Sequence, residues 1–330
     1  MIRDTDTLRD SLVFFLGVNT GFTTNGLPDS RFIDFYQQRS SPKLHCAIVG
    51  NVVVPGGFGS NDSTPMLDSD PSWKRVANAI DSKGSKPGIQ LASAWSGYLG
   101  QRKFVARKPS EFIEHARQLV LSLELEVVDS ILNAFHEGAS LAVDHGFRHV
   151  QIHAAHGYLL SLLVDSRINS NAYRTRDKLA DLAQFLGSQD IETSIRCSIR
   201  TGDDEFDKAG NDENIRGIVE LPYDFVDLSS GYYNIDKRLI YPSRPEIVSS
   251  RHKESRAIAS RYPTRKFIVS GKVMRKGIYL PENVDIGICR DLIANPDFLS
   301  DQQNGCRDHG KCHYHSRNEK HLTCGRWLPQ

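Results

Sequence analysis

Apolar and polar positions along this chain alternate between two rhythms. Short apolar runs with strand character fall at 13–18, 46–53, 88–91, 149–153, 194–199, 225–229, 267–270 and 286–289. Between them lie stretches with the 3.6-residue spacing of amphipathic helices. Residues 31–39 follow a turn at Gly26, Leu27 and Pro28, with Asp29 or Ser30 as the N-cap. Residues 71–83 open on Pro71 and stop at Gly84, the usual order of helix punctuation. The longest stripe, 125–145, places Val128, Ile131, Leu132, Phe135, Ala139 and Ala142 on one face and ends at Gly146. Further helices are expected at 174–186, 211–219 and 246–261, with a short one from Arg290.

Eight strands alternating with helices predict a (β/α)8 TIM barrel, and a doubly wound sheet would serve the alternation almost as well. Two features favour the barrel. No Gly-x-Gly-x-x-Gly opens the first helix, and the polar residues of interest lie at the carboxyl ends of many different strands. The expected organisation is one barrel over 1–300 and a short Cys/His-rich tail over 301–330.

Composition narrows the class without changing the picture. Hydrophobic residues are 39% and charged residues 25% of 330, which suits a folded enzyme. A net charge of +1 gives no reason to expect nucleic acid or an anionic membrane as partner. No apolar run approaches the roughly 20 residues of a membrane span, and the polar first ten residues do not resemble a secretory signal. The expectation is a cytoplasmic enzyme acting on a small molecule, with homo-oligomerisation left open.

The candidate chemistry centres on residues 153–158. The strand 149–153 delivers His153, His156 and Tyr158 within six positions. Imidazoles can polarise a carbonyl by hydrogen bonding, and a phenol can deliver a proton. A helix entry with His153 bonded to backbone and Tyr158 filling a core edge is the competing account.

The run His-Ala-Ala-His-Gly-Tyr-Leu-Leu resembles the active-site signature of the Old Yellow Enzyme family of FMN-dependent NADH:flavin oxidoreductases. The resemblance implies the same barrel, FMN as cofactor and NADH or NADPH as electron donor. It also implies that His153 and His156 hold the carbonyl oxygen of an α,β-unsaturated substrate while Tyr158 donates the proton. Read backwards, the same site would desaturate a ketone.

Other strand ends carry the rest of the resemblance. Gln90, in a Gln-Leu pair on the third strand, matches the glutamine that contacts the flavin ring. Arg200 matches the arginine beside the reduced ring, with Arg196 four residues earlier facing the same side. Gly271 and Arg290 match the phosphate site after strands seven and eight. Asn19 or Thr20 falls where the family keeps a small or hydroxyl residue beside the flavin, and Gly50 would admit the cofactor close to backbone.

The departures are also specific. Residues 92–96 replace the His-x-Gly-Arg continuation, Cys289 stands where a glycine is usual, and the Gly-Gly and Glu-Asn-Arg elements after Asn169 are missing. A barrel that has lost turnover and serves as a scaffold would explain them.

In the tail, Cys306-x5-Cys312-x11-Cys324 keeps the last spacing of the cluster motif in dienoyl-CoA-reductase-type relatives. With His309 added, Cys306, Cys312 and Cys324 are expected to hold zinc or an iron–sulfur cluster, the alternative being free thiols.

Overall fold

The computed structural model describes residues 11–98, 108–274 and 278–327. Eight parallel strands close a barrel in sequence order: β1 Val13–Phe15, β2 Cys46–Val53, β3 Lys86–Ala92, β4 His149–Ala154, β5 Glu192–Ser198, β6 Phe225–Ser229, β7 Lys266–Val269 and β8 Val284–Ile288, with β8 pairing back onto β1. The barrel expected from the alternation is therefore the fold.

Helices form where the punctuation places them. Asp29 caps Ser30–Gln38 by accepting the Arg31 and Phe32 N–H groups. This helix buries Phe35 and Tyr36 against Phe15 of β1 and Phe32 against Trp73, each worth roughly 1.5–3 kcal/mol of apolar burial. The Tyr36 hydroxyl donates to the Val18 carbonyl at 3.0 Å and accepts the Gly50 N–H at 3.3 Å. One phenol thus ties together the carboxyl ends of β1 and β2. The helix Leu125–Asp144 buries Leu132, Phe135, Ala139 and Ala142, and Gly146 follows it at φ 88°.

One helix was not expected. Pro109–Leu121 buries Phe112, Ile113, Ala116 and Val120. Its stripe is legible, and Pro109 in its first turn is a start signal. The short helices Leu159–Leu163, Asp204–Lys208 and Lys237–Ile240 belong to the loops above the barrel and carry too few turns for periodicity to reveal.

The barrel interior sets an apolar cluster beside a column of polar groups. Phe14, Leu16, Cys46, Ile48, Phe225 and Ile268 pack together inside it. Alongside them runs a ladder of buried polar groups. Gln90 pairs in register with Gln151 and donates to it at 2.5 Å. Gln151 in turn donates to Ser194 at 3.0 Å and to Asp227 at 3.3 Å. His153, Arg196 and Asp227 occupy one row across β4, β5 and β6. Such a network is tolerated only where its members satisfy one another. Its open upper end marks the place where a ligand could complete it. Among the described residues, no helix is long and apolar enough to cross a membrane.

Candidate active site

A cavity of about 490 Å3 opens at the carboxyl end of the barrel, within the usual range for small-molecule sites. Gln90, His153, His156, Tyr158, Gly271, Arg290 and Asn19 all line it. The residues expected to share one pocket are therefore gathered there, with Arg200, Thr20 and Gly50 as exceptions.

His156 is the anchor of the central motif. Its φ of 64° is left-handed, a conformation that costs a non-glycine residue on the order of 1–3 kcal/mol. Three contacts hold it: its N–H donates to Ser198 Oγ at 2.9 Å, its carbonyl accepts from the Tyr233 N–H at 3.1 Å, and its Nε2 bonds Ser229 Oγ at 2.7 Å. Gly157 follows at φ 81°, where a Cβ would press the Tyr232 ring at 3.2 Å. The kink turns Tyr158 back towards His153, with ring centroids 4.9 Å apart.

Burial sets the protonation of this group. It pushes His153 down to about 3, helped by the nearby Arg196 cation, and holds His156 well below its ordinary value for the same reasons. It raises the Tyr158 phenol far above its ordinary value, and the neighbouring Tyr233 adds to the shift. Both imidazoles are thus neutral donors at pH 7, and the phenol keeps its proton. His153 Nδ1 is buried without a partner, a donor or acceptor left waiting for a ligand.

A pH prediction follows from these directions. Substrate reduction should show no ionisation of the pair between roughly pH 5 and 8; a rate that follows a single protonation near 6.5 would sink the neutral-imidazole reading. Stability moves differently. The unfolded imidazoles bind protons below 6.5 and the folded ones do not, so acid unfolding should set in as pH drops from 6.5 towards about 3.

The arginine of the fifth strand is Arg196. It lines the cavity, pairs with the buried Asp227 at 3.5 Å, and reaches Ser229 Oγ at 3.4 Å, while its Nε is buried without a partner. Arg200, expected in that role, is carried outward because β5 ends at Ser198 and the chain turns at Gly202, φ 103°. Its guanidinium meets Asp204 at 2.5 Å, Glu254 at 3.1 Å and Asp207 at 3.6 Å. Strand alternation would put 196, 198 and 200 on one side, but it holds only while the strand lasts.

Three other expectations need similar adjustment. Thr20 is fully buried outside the cavity, its hydroxyl accepting the Phe22 N–H and its carbonyl accepting the Leu322 N–H of the tail. Asn19 does line the cavity, but its amide is engaged with Thr64 and Tyr314. Gly50 is covered: a Cβ there would meet the Gln90 carbonyl oxygen at 2.9 Å, so its lack of a side chain serves strand packing, while Asn51 reaches the cavity.

The tail forms a wall of the site. Cys306, Cys312, His313 and Tyr314 line the cavity, Leu322 is buried, and the Trp327 indole donates to the Ile293 carbonyl at 2.8 Å. The proposed metal ligands do not assemble. Cys306, His309, Cys312 and Cys324 border a small hollow of about 20 Å3. Yet among the described residues no three His, Cys, Asp or Glu side chains are placed to hold an ion. Cys306 Sγ takes the Asp308 N–H at 3.3 Å, Cys324 Sγ takes the Arg326 N–H at 3.5 Å, and burial pushes Cys312 up to about 11. The Cys306 and Cys324 sulfurs are turned to local backbone, where ligation needs converging thiolates.

Sequence reasoning did not single out the phenols. Tyr98, Tyr233, Tyr241 and Tyr314 line the cavity with Tyr158. The Gly231-Tyr232-Tyr233 run two residues past the sixth strand was the available signal. Charge is equally one-sided: Arg196, Lys237, Arg238, Lys272, Arg290 and Arg317 line the site against the carboxylate of Asp291. An anionic ligand with a flat, hydrogen-bonding ring suits such a lining.

Comparison with known proteins agrees. Residues 19–175 match the NADH:flavin oxidoreductase / NADH oxidase family. The NADH-dependent flavin oxidoreductase iliE of Hypocrea jecorina is 23% identical over 82% of this chain and 79% of its own length. The 12-oxophytodienoate reductase 2 of Arabidopsis thaliana is 25% identical over 48% of this chain and 47% of its own. The crystal structure of Old Yellow Enzyme from Pichia sp. superposes with a TM-score of 0.64, covering 96% of this chain and 90% of that one at 18% identity.

Over residues 19–175 the chain resembles the NADH:flavin oxidoreductase / NADH oxidase family, and it shares the barrel fold of Old Yellow Enzyme. These likenesses support an FMN-dependent oxidoreductase drawing electrons from NADH or NADPH. The cavity fits that cofactor on its own evidence: unpartnered buried atoms on His153 and Arg196, an amide at Gln90, and the cations Lys272 and Arg290 at the ends of β7 and β8. Against the Old Yellow Enzyme resemblance, the chain departs from expectation at Arg200 and in the tail.

Proposed function

We propose that this protein reduces the carbon–carbon double bond of an α,β-unsaturated carbonyl compound. The supporting observation is the convergence of His153 and Tyr158, 4.9 Å apart by ring centroid, in one cavity that Gln90 and Arg196 also line. Gln90 and Arg196 would hold the polar edge of the FMN ring, and Gly271, Lys272 and Arg290 its phosphate. FMN, when bound, supplies hydride taken from NADH or NADPH to the β carbon of the substrate.

The chain's own residues supply the rest. His153 and His156, neutral and buried, donate hydrogen bonds to the carbonyl oxygen and so draw charge away from the β carbon. The Ser229 hydroxyl fixes the His156 ring and spares it reorganisation during the reaction. Tyr158 gives its hydroxyl proton to the α carbon; the O–H bond breaks as the C–H bond forms. Tyr98 and Tyr233, with ring centroids 5.5 and 5.7 Å from Tyr158, exclude water around that proton.

The test is direct. Purified protein should show flavin absorption, lose it on anaerobic addition of NADH or NADPH, and recover it on addition of 2-cyclohexen-1-one. Protein that reduces its flavin but is not reoxidised by any enone would overturn the substrate assignment, and colourless protein that fails to take up FMN would overturn the reading altogether.

A further inference from the structure

One contact in the cavity wall bears on how the cofactor is selected. Lys272 and Arg290 stand at the ends of β7 and β8, where the phosphate of a flavin nucleotide would lie in the reading above. Both line the cavity and both are largely withdrawn from solvent, with side chains 7% and 14% exposed. Both are already paired with the same carboxylate. Asp308 of the tail contacts Lys272 Nζ through one oxygen and Arg290 Nη1, at 3.2 Å, through the other. A second Arg290 amine donates to the Pro242 carbonyl at 2.6 Å, which fixes the guanidinium in place.

The carboxylate does not reach this position by default. Asp308 sits at φ 58°, a left-handed conformation that Asp and Asn adopt more readily than other side chains, and its N–H is tethered to Cys306 Sγ at 3.3 Å. The tether and the turn together hold the side chain, 29% exposed, against the two cations from within the exposed stretch 307–310. Two cations bridged by one bidentate anion is the arrangement a phosphate would make with them. A phosphate monoester carries about −1.5 to −2 charges, and here it meets a pair of cations half neutralised by a resident −1.

We propose that Asp308 is a built-in stand-in for the flavin 5′-phosphate, and that its carboxylate sets how strongly the chain prefers FMN over riboflavin. FMN then binds by exchanging one anion for another on Lys272 and Arg290, with residues 307–310 moving aside. Riboflavin, lacking the phosphate, leaves the Asp308 contacts intact. The proposal rests on the flavin reading above.

The experiment compares apoprotein titrated with FMN and with riboflavin, followed by quenching of flavin fluorescence, in the wild type, Asp308→Asn and Asp308→Ala. Asparagine keeps the size and tolerates the left-handed backbone, so its effect isolates the charge. The Kd for FMN should fall about tenfold or more in both variants at low ionic strength. The Kd for riboflavin should stay within about twofold. Added salt should shrink the FMN difference. Unchanged or weaker FMN binding, or an equal shift for both flavins, overturns the proposal while leaving the flavin reading in place. Binding of neither flavin by any of the three proteins overturns both.

Discussion

Tyr158→Phe should leave a yellow protein that NADH or NADPH still reduces at close to the wild-type rate, but whose reoxidation by an enone slows by about 10²–10⁴-fold, the usual worth of a positioned general acid. The substitution removes one oxygen from a ring that is 7% exposed and packed against His153, Tyr98 and Tyr233. Packing is retained, so flavin content and melting temperature should hardly change. Rapid-mixing absorbance of the two half-reactions separates the outcomes. Equal slowing of both would assign the phenol to cofactor placement, and no slowing of the second would remove it from the chemistry.

The other large effect is expected at Arg196. Replacing it with methionine leaves Asp227 buried at 0% exposure without its cation, and one Asp227 oxygen already lacks a hydrogen-bond partner. Breaking a buried pair in this way costs about 3–5 kcal/mol. Burial raises the Asp227 carboxyl towards protonation, opposed by Arg196 and Arg251, so part of that cost will be recovered by proton uptake. Flavin affinity should fall with stability. Arg200→Gln is the matched control: its partners are reached at a side chain 29% exposed, and such pairs are worth about 0–1 kcal/mol. Denaturant unfolding and flavin content, measured for both, decide which arginine serves the ring. A flavin-free Arg200→Gln beside a normal Arg196→Met would reverse the assignment.

The contrast between these two arginines shows what a sequence can carry. The barrel was legible because each strand is a short apolar run and each long helix has a stripe and a stop; those signals are local. His153, His156 and Tyr158 were legible because one strand end delivers all three. Gln90, Gly271 and Arg290 followed from their positions at the ends of other strands. Arg200 failed because the choice between two side chains on one face depends on where β5 stops, and hydrogen bonding across to β6 sets that end. Gly50 and Thr20 failed for a related reason: small size and a hydroxyl suit a ligand and suit packing equally well, and only the neighbours decide. The tail misled most, since three cysteines at suggestive spacing say nothing about where each Sγ points.

The bond from the Tyr314 hydroxyl to Asn19 Oδ1, 2.8 Å long, joins positions 295 apart in the chain. β8 likewise closes onto β1. The segment that follows β1 and the segment that follows β8 are thus latched to each other as well as to the barrel, so loosening either one unfastens the other.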